Sequence, residues 1–250
     1  MDQRHLLVFT AATLLLISNA ALPVFGQQAA SSICTSQWPL PPVFAGYCVA
    51  PRDAQQAITG GSYTVKVPSF TGGSPEANLT LALAALVCLP DCSVTSLGLI
   101  GTGVTMLSSG DDFAFSVGSV IDVNPGDVLT ISISATTGGY LLQVQDLTSG
   151  ATASGVVSTN LRILALAFVM SEIPSPANMG DTLPTIYPYF GSVSITNAQL
   201  LVGGYNEPLG AAVHVALNME AFSGGTISGA IASPTRVAGE SFTIVQLATS

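Results

Sequence analysis

The chain has 250 residues, 48% of them hydrophobic and only 8% charged, and its five Lys and Arg against 14 Asp and Glu give a net charge of −9. So few basic groups form no patch that neutralises phosphates or holds an anionic membrane, which argues against nucleic acid as a partner. The 25 Gly and 15 Pro exceed what helix-rich domains carry and predict a turn-rich, all-β fold with one substantial core.

Residues 1–26 combine Arg4 and His5, an apolar run from Leu6 to Ile17, and small residues at Ala20 and Gly26. This is the pattern of a secretory signal peptide, the run being shorter than the ~20 residues that span a bilayer. The protein is therefore expected to be secreted, with no membrane segment once the signal is removed. Residues 27–42, with Trp38 and three prolines, read as an irregular N-terminal or short pro-segment, and 43–250 as one β-sandwich domain.

Four cysteines, Cys34, Cys48, Cys88 and Cys92, suit an oxidising destination. Three connectivities are open, and local pairing, Cys34 with Cys48 and Cys88 with Cys92, is the expectation. Cys88 and Cys92 are spaced C-x3-C, half of a zinc pattern. No second Cys/His pair follows, and His5 and His214 lie far apart, so no metal is expected. Asn78-Leu79-Thr80 is an N-x-S/T glycosylation acceptor and would mark an exposed turn.

From about residue 60, short β-prone runs alternate with Gly, Asn, Asp, Pro and Ser clusters: SYTVKVPSF, DVLTISISATT, YLLQVQDL, GSVSITNAQLLV, GGTISGAI and ESFTIVQLA. In DVLTISISA, Val128, Ile131 and Ile133 interleave with Thr130, Ser132 and Ser134, the alternation of a sheet with one wet face. LTLALAALVCL and LRILALAFVM are apolar almost throughout. Buried helices are the alternative, but Pro, Gly and Ser flanks without an N-cap favour central strands buried on both faces. Pro125-Gly126-Asp127, Gly138-Gly139 and Thr148-Ser149-Gly150 supply turns. The spacing predicts two antiparallel sheets packed face to face.

Asp91, Asp111 and Asp112 sit among Pro, Ser or Gly and read as turn residues rather than as paired catalytic acids. Gly101-Thr102-Gly103 lacks the rest of a phosphate loop and reads as a bulge or turn. His214, in AAVHVALNM, reads as a core or edge histidine, since no G-x-S-x-G completes a triad.

Several stretches together resemble one family. Phe44-Ala45-Gly46-Tyr47 is similar to an opening W-A-G-Y, Tyr63-Thr64-Val65 with Pro68 to an F-T-V-P strand, and residues 123–154 to an I-x-x-G-D-x-I-x-V-x-V-x-A strand followed by V-x-N-L-T-T-G. AFVMSEIP, then a loop, then FGSVSITNAQ resembles A-E-W-I-V-E-R-P, a loop, and F-G-x-V-x-F-T-N-A. These are patterns of the secreted glutamic peptidases, the eqolisin family, and the resemblance covers most of the chain after residue 43. It implies a concanavalin-like β-sandwich whose concave sheet carries a substrate cleft, and an acid endopeptidase activity. Aligned without gaps, Glu172 falls on the catalytic glutamate, the general base that takes a proton from water and returns it to the leaving amine.

The family's partner glutamine lies in I-L-Q-T-G-V; the matching stretch is Leu99-Ile100-Gly101-Thr102-Gly103-Val104. Gly101 therefore stands where the glutamine would position water and stabilise the oxyanion. Removing one such donor costs ~10² to 10³ in rate, so the departure implies weak or lost hydrolysis unless Gln143, Gln145 or Gln199 substitutes. Asp91 falls in the family's G-I-D-G-D stretch and Phe115 in its aromatic A-W-Y-E-W-Y-P loop, making both expected groove residues. The alternative is a non-catalytic secreted sandwich that binds an extended peptide, glycan or partner protein in the same cleft. No cofactor is implied; the expected partner is a peptide or protein, and the chain is expected to act as a monomer.

Overall fold

The computed structural model describes residues 34, 44–53, 56–69, 71, 78–88, 98–107, 109–158, 160–171, 189–223 and 226–247. These are almost entirely strand and turn. In chain order the strands are β1 (Phe44–Ala50), β2 (Ile58–Lys66), β3 (Asn78–Cys88), β4 (Gly98–Leu107), β5 (Phe113–Ser116), β6 (Ser119–Asp122), β7 (Val128–Thr136) and β8 (Gly139–Asp146). There follow β9 (Thr152–Ser158), β10 (Arg162–Ser171), β11 (Ser192–Val202), β12 (Tyr205–Pro208), β13 (Val213–Leu217), β14 (Met219–Ser223), β15 (Thr226–Pro234) and β16 (Phe242–Gln246).

Every pairing is antiparallel, and the strands form two layers. The first sheet runs β13-β1-β10-β3-β4-β5-β6; the second runs β9-β8-β7-β2-β11-β16-β15-β14, with β12 beside β11. Among the described residues a single register position, Ile163 opposite Ile58, joins the layers through β10 and β2. The predicted sandwich is thus observed.

In β7 Thr130, Ser132 and Ser134 face outward and Ile131 and Ile133 are buried, as expected, but Val128, two residues from Thr130, falls on the outward side because side chains alternate strictly; the buried three are Leu129, Ile131 and Ile133. From the first sheet Leu81, Leu83, Phe168, Met170 and Val104 meet them in the core. Each such side chain contributes about 1.5–3 kcal/mol on burial. β10 is buried on both faces from Ala165 to Met170, and β3 except at Ala82 and Ala84, as its continuous apolar sequence requires. The β8–β9 turn is fastened by Asp146, whose carboxylate accepts bonds from Thr148 N (2.8 Å) and from the Ser149 hydroxyl.

A second, smaller apolar cluster lies on the face of the first sheet turned away from the core. Cys34, Cys48, Leu86 and Ala165 form it, with Leu99, Val215 and Leu217 packed against it. Cys34 and Cys48 are joined by a disulfide with Cα atoms 5.6 Å apart, the local pairing expected for them. Cys34, 3% exposed, is therefore fixed to the sandwich although it lies in the segment read as irregular. Cys88 is also disulfide-bonded, and Cys92 lies outside the described residues.

Candidate functional site

Antiparallel register places paired residues on one face of a sheet, so the outward face of the first sheet can be read as rows. One row crosses Cys48, Ala167, Ala84 and Gly101 on β1, β10, β3 and β4. The next holds Gly46, Val169, Ala82, Gly103 and Phe115, and the one beyond it Phe44, Ser171, Thr80, Thr105 and Phe113. Ala82, Ala84, Leu99 and Gly101 are partly exposed, whereas the β1 and β10 positions of these rows are mostly buried. The open floor of the face therefore lies over β3 and β4.

Gly101 occupies this floor. A Cβ built on it would meet Leu83 O at 3.3 Å and Ala84 Cβ at 3.8 Å, so a side chain fits once the Leu83 carbonyl gives by a few tenths of an ångström. Gly103 does not: a Cβ there would come within 2.1 Å of Leu81 O, a close approach that only glycine permits. Gly101 is thus far less constrained to glycine than Gly103.

No residue in the row of Gly101 carries an amide or a carboxylate. Ala167 holds the β10 position, four residues before Ser171 at the end of the strand, a separation of ~13 Å at ~3.3 Å per residue. Glu172, the next residue in the sequence, and Asp91 lie outside the described residues. Gln143 and Gln145 on β8 and Gln199 on β11 point outward from the second sheet, on the far side of the sandwich. None of the three replaces a donor at Gly101.

Phe115 lies on the expected face, opposite Gly103, but it is only 4% exposed. It packs edge to face on Phe113, ring centroids 6.5 Å apart, with Leu107 and Val120 against the pair. It is a buried flank of the face, not an open groove wall. Asn78 opens β3 at 5% exposure, not on the exposed turn expected of a glycosylation acceptor, because the strand already begins there, pairing it with Leu107 of β4.

Sequence reasoning missed one polar feature. Thr80 and Thr105, both buried, hydrogen-bond through their hydroxyls at 2.9 Å, level with Ser171. Beyond Thr80's place in the Asn78-Leu79-Thr80 acceptor, nothing local marks either threonine; only the pairing of β3 with β4 brings them together.

The remaining candidates resolve into structure. Asp112 accepts a bond from Leu107 N at 3.0 Å, and Asp111 one from the Ser109 hydroxyl at 3.3 Å, both closing the β4–β5 turn. Burial pushes the Asp112 carboxyl up, against the Leu107 bond, and the nearby Asp111 charge adds to the rise. His214 meets the Tyr47 ring edge to face at 5.3 Å and lies 3.1 Å from Ala212 O through Nδ1. Among the described residues no group of His, Cys, Asp or Glu is arranged to hold a metal ion.

No protein-family model matches the chain, and no curated protein matches it in sequence. Its fold does match solved structures. One is scytalido-glutamic peptidase with a transition state analog inhibitor (TM-score 0.58, 16% identity, covering 82% of this chain and 98% of that one). Another is the same peptidase with a peptide based transition state analog (TM-score 0.58, 18% identity, the same coverage of 82% and 98%). A third is SCP-B, a member of the eqolisin family of peptidases, in complex with the tripeptide Ala-Ile-His (TM-score 0.60, 19% identity, again 82% and 98%). At these identities the likeness is one of fold.

Proposed function

We propose that this chain is a secreted, monomeric protein of the glutamic peptidase fold that binds an extended peptide along the outward face of its first sheet without efficiently cleaving it. The observation that carries this reading is the row Cys48, Ala167, Ala84 and Gly101, which offers neither the amide nor the carboxylate that hydrolysis on this scaffold would need. The fold is that of peptidases solved with peptide-like analogs and with a tripeptide, so the proposed ligand is the one those scaffolds hold. A floor of Ala and Gly admits the ligand's own side chains close to the sheet. The Cys34–Cys48 disulfide agrees with secretion, and among the described residues no helix is long and apolar enough to cross a membrane.

A second reading, acid endopeptidase with Glu172 as general base and acid, has one observation in its favour. The Thr80–Thr105 hydroxyl pair lies level with Ser171, the residue preceding Glu172, and is a candidate donor set in place of the missing glutamine.

The two readings separate in one experiment. The mature protein is incubated with a denatured protein substrate from about pH 2 to 7, beside Glu172→Gln and Gly101→Gln, and binding of a labelled non-cleavable peptide is measured in parallel. The expected outcome is saturable peptide binding by the parent, no cleavage, and binding retained in Glu172→Gln. Cleavage by the parent that Glu172→Gln abolishes would establish the peptidase instead, and absence of peptide binding would sink the proposal.

A further inference from the structure

The outward face of the second sheet, on the opposite side of the sandwich from the face just described, carries an ordered array of side chains. One row crosses Thr196, Thr64, Thr130, Gln145 and Thr152 on β11, β2, β7, β8 and β9. The next crosses Gln199, Ser62, Ser132, Gln143 and Ser154 on the same strands. Every position is a hydroxyl or a primary amide, and none is buried. Neighbours within a row stand ~4.8 Å apart and the rows ~6.7 Å apart, the spacings of strands and of alternate residues.

β11 stays in this array because of one irregularity. Between Thr196 and Gln199 its register against β2 slips by one residue, at Asn197, which has φ 52°. That extra residue is a bulge, and it returns Gln199 to the outward face, which strict alternation would have denied it. Side-chain bonds then tie the strands together: Gln199 Nε2 donates to Ser62 Oγ and Asn197 Nδ2 to Thr64 Oγ1, each at 3.3 Å. A further row holds Leu141 opposite Val156, the latter 51% exposed, giving the array an apolar margin.

We propose that this face is a docking surface for a neutral polysaccharide chain. Hydroxyls and amides each donate and accept, matching the hydroxyls of a sugar polymer, and neither side strips a charge of water on contact. The two rows contain no ammonium or guanidinium to hold an acidic polymer and no carboxylate to hold a basic one. The chain's net charge of −9 also repels the former. The Leu141–Val156 margin suits the C–H faces of pyranose rings. Adjacent strands rotate by about −20 to −25°, so a single flexible chain can follow five strands where a flat crystalline lattice cannot.

The test is co-sedimentation with amorphous, non-crystalline cellulose, chitin and β-1,3-glucan, and affinity electrophoresis in their soluble forms, with polygalacturonate as an acidic control and ice as a flat lattice. The parent is expected to bind at least one neutral polymer and neither control. The pair Thr130→Val with Ser132→Ala should weaken binding by roughly tenfold, the loss of two or more neutral hydrogen bonds. Ser154→Glu, on exposed edge strand β9, serves as a second variant that leaves the core untouched and should weaken binding likewise. Ser154→Glu should still bind the labelled peptide as the parent does, which keeps this face distinct from the peptide-binding one. Binding to no neutral polymer, binding equal in all array variants, or preference for polygalacturonate or ice would each overturn the proposal.

Discussion

Tyr63 of β2 and Phe168 of β10 meet edge to face between the two sheets, ring centroids 5.8 Å apart, and the fully buried Tyr63 hydroxyl has no hydrogen-bond partner among the described residues. Desolvation drives its pKa upward, so it stays neutral. An unsatisfied buried hydroxyl costs about 1–3 kcal/mol, while the ring it rides on is well packed. Tyr63→Phe is therefore expected to leave the fold intact and to raise its stability by about 1 kcal/mol, read from urea denaturation midpoints. Phe168→Ala, which empties the other half of the contact, should cost about 3–5 kcal/mol. A destabilised Tyr63→Phe would show that the hydroxyl is satisfied in solution.

Gly101 and Gly103 are predicted to respond oppositely to alanine. At 101 the nearest atom to a new Cβ is 3.3 Å away, and loss of glycine's freedom in the unfolded chain favours the variant, so Gly101→Ala should fall within about 1 kcal/mol of the parent. At 103 the clash with Leu81 O forces backbone to move, and Gly103→Ala should lose about 1–3 kcal/mol or more. Thermal midpoints of the two variants side by side decide this.

How much of this was legible in the sequence follows the range of the interactions involved. The continuous apolar runs of β3 and β10, and the alternation of β7, are local patterns, and they gave both strand identity and burial. Turn chemistry such as Asp146 with Thr148 and Ser149 is local as well. The rows are not local. Aligning AFVMSEIP sets Glu172 against a catalytic position, yet the row of Gly101 contains Ala167, because register is settled by pairing among strands far apart in sequence. The Thr80–Thr105 pair and the threonine and glutamine array were unreadable for the same reason, and the bulge at Asn197 could not be anticipated from its neighbours.

Two carboxylates should impose opposite pH dependences on stability. Asp112 has its folded-state pKa raised, chiefly by burial, so the folded chain holds that proton more tightly than the unfolded chain. Its contribution is full below the unfolded value and is lost as pH rises through the folded one. Asp112→Asn keeps an oxygen to accept from Leu107 N, and should raise the Tm near pH 7 while changing it little near pH 3.

For Asp146, burial acts to raise the pKa, but the bonds from Ser149 and Thr148 outweigh it and the net shift is downward. Its contribution is present above the unfolded value and is lost as pH falls through the folded one. Asp146→Asn should therefore lower the Tm near pH 7 and approach the parent in acid. Calorimetry of both variants across this range checks the pair of signs together.

Removing the Cys34–Cys48 bridge by a Cys34→Ser, Cys48→Ser double change should cost about 3 kcal/mol, the chain-entropy value for a loop of this length, the sequence separation being 14. The check is a comparison of urea midpoints between parent and variant. A loss that vanishes when the parent is measured under reducing conditions would attribute it to the bridge itself.

That bridge also governs what trimming can do. A cut at any bond between Cys34 and Phe44 leaves everything upstream covalently attached to β1, so one nick yields a two-chain molecule rather than a shortened one. An N-terminus determined by sequencing the larger fragment would then misstate the protein's composition. Only a cut upstream of Cys34, or reduction after the nick, can discard the leading residues.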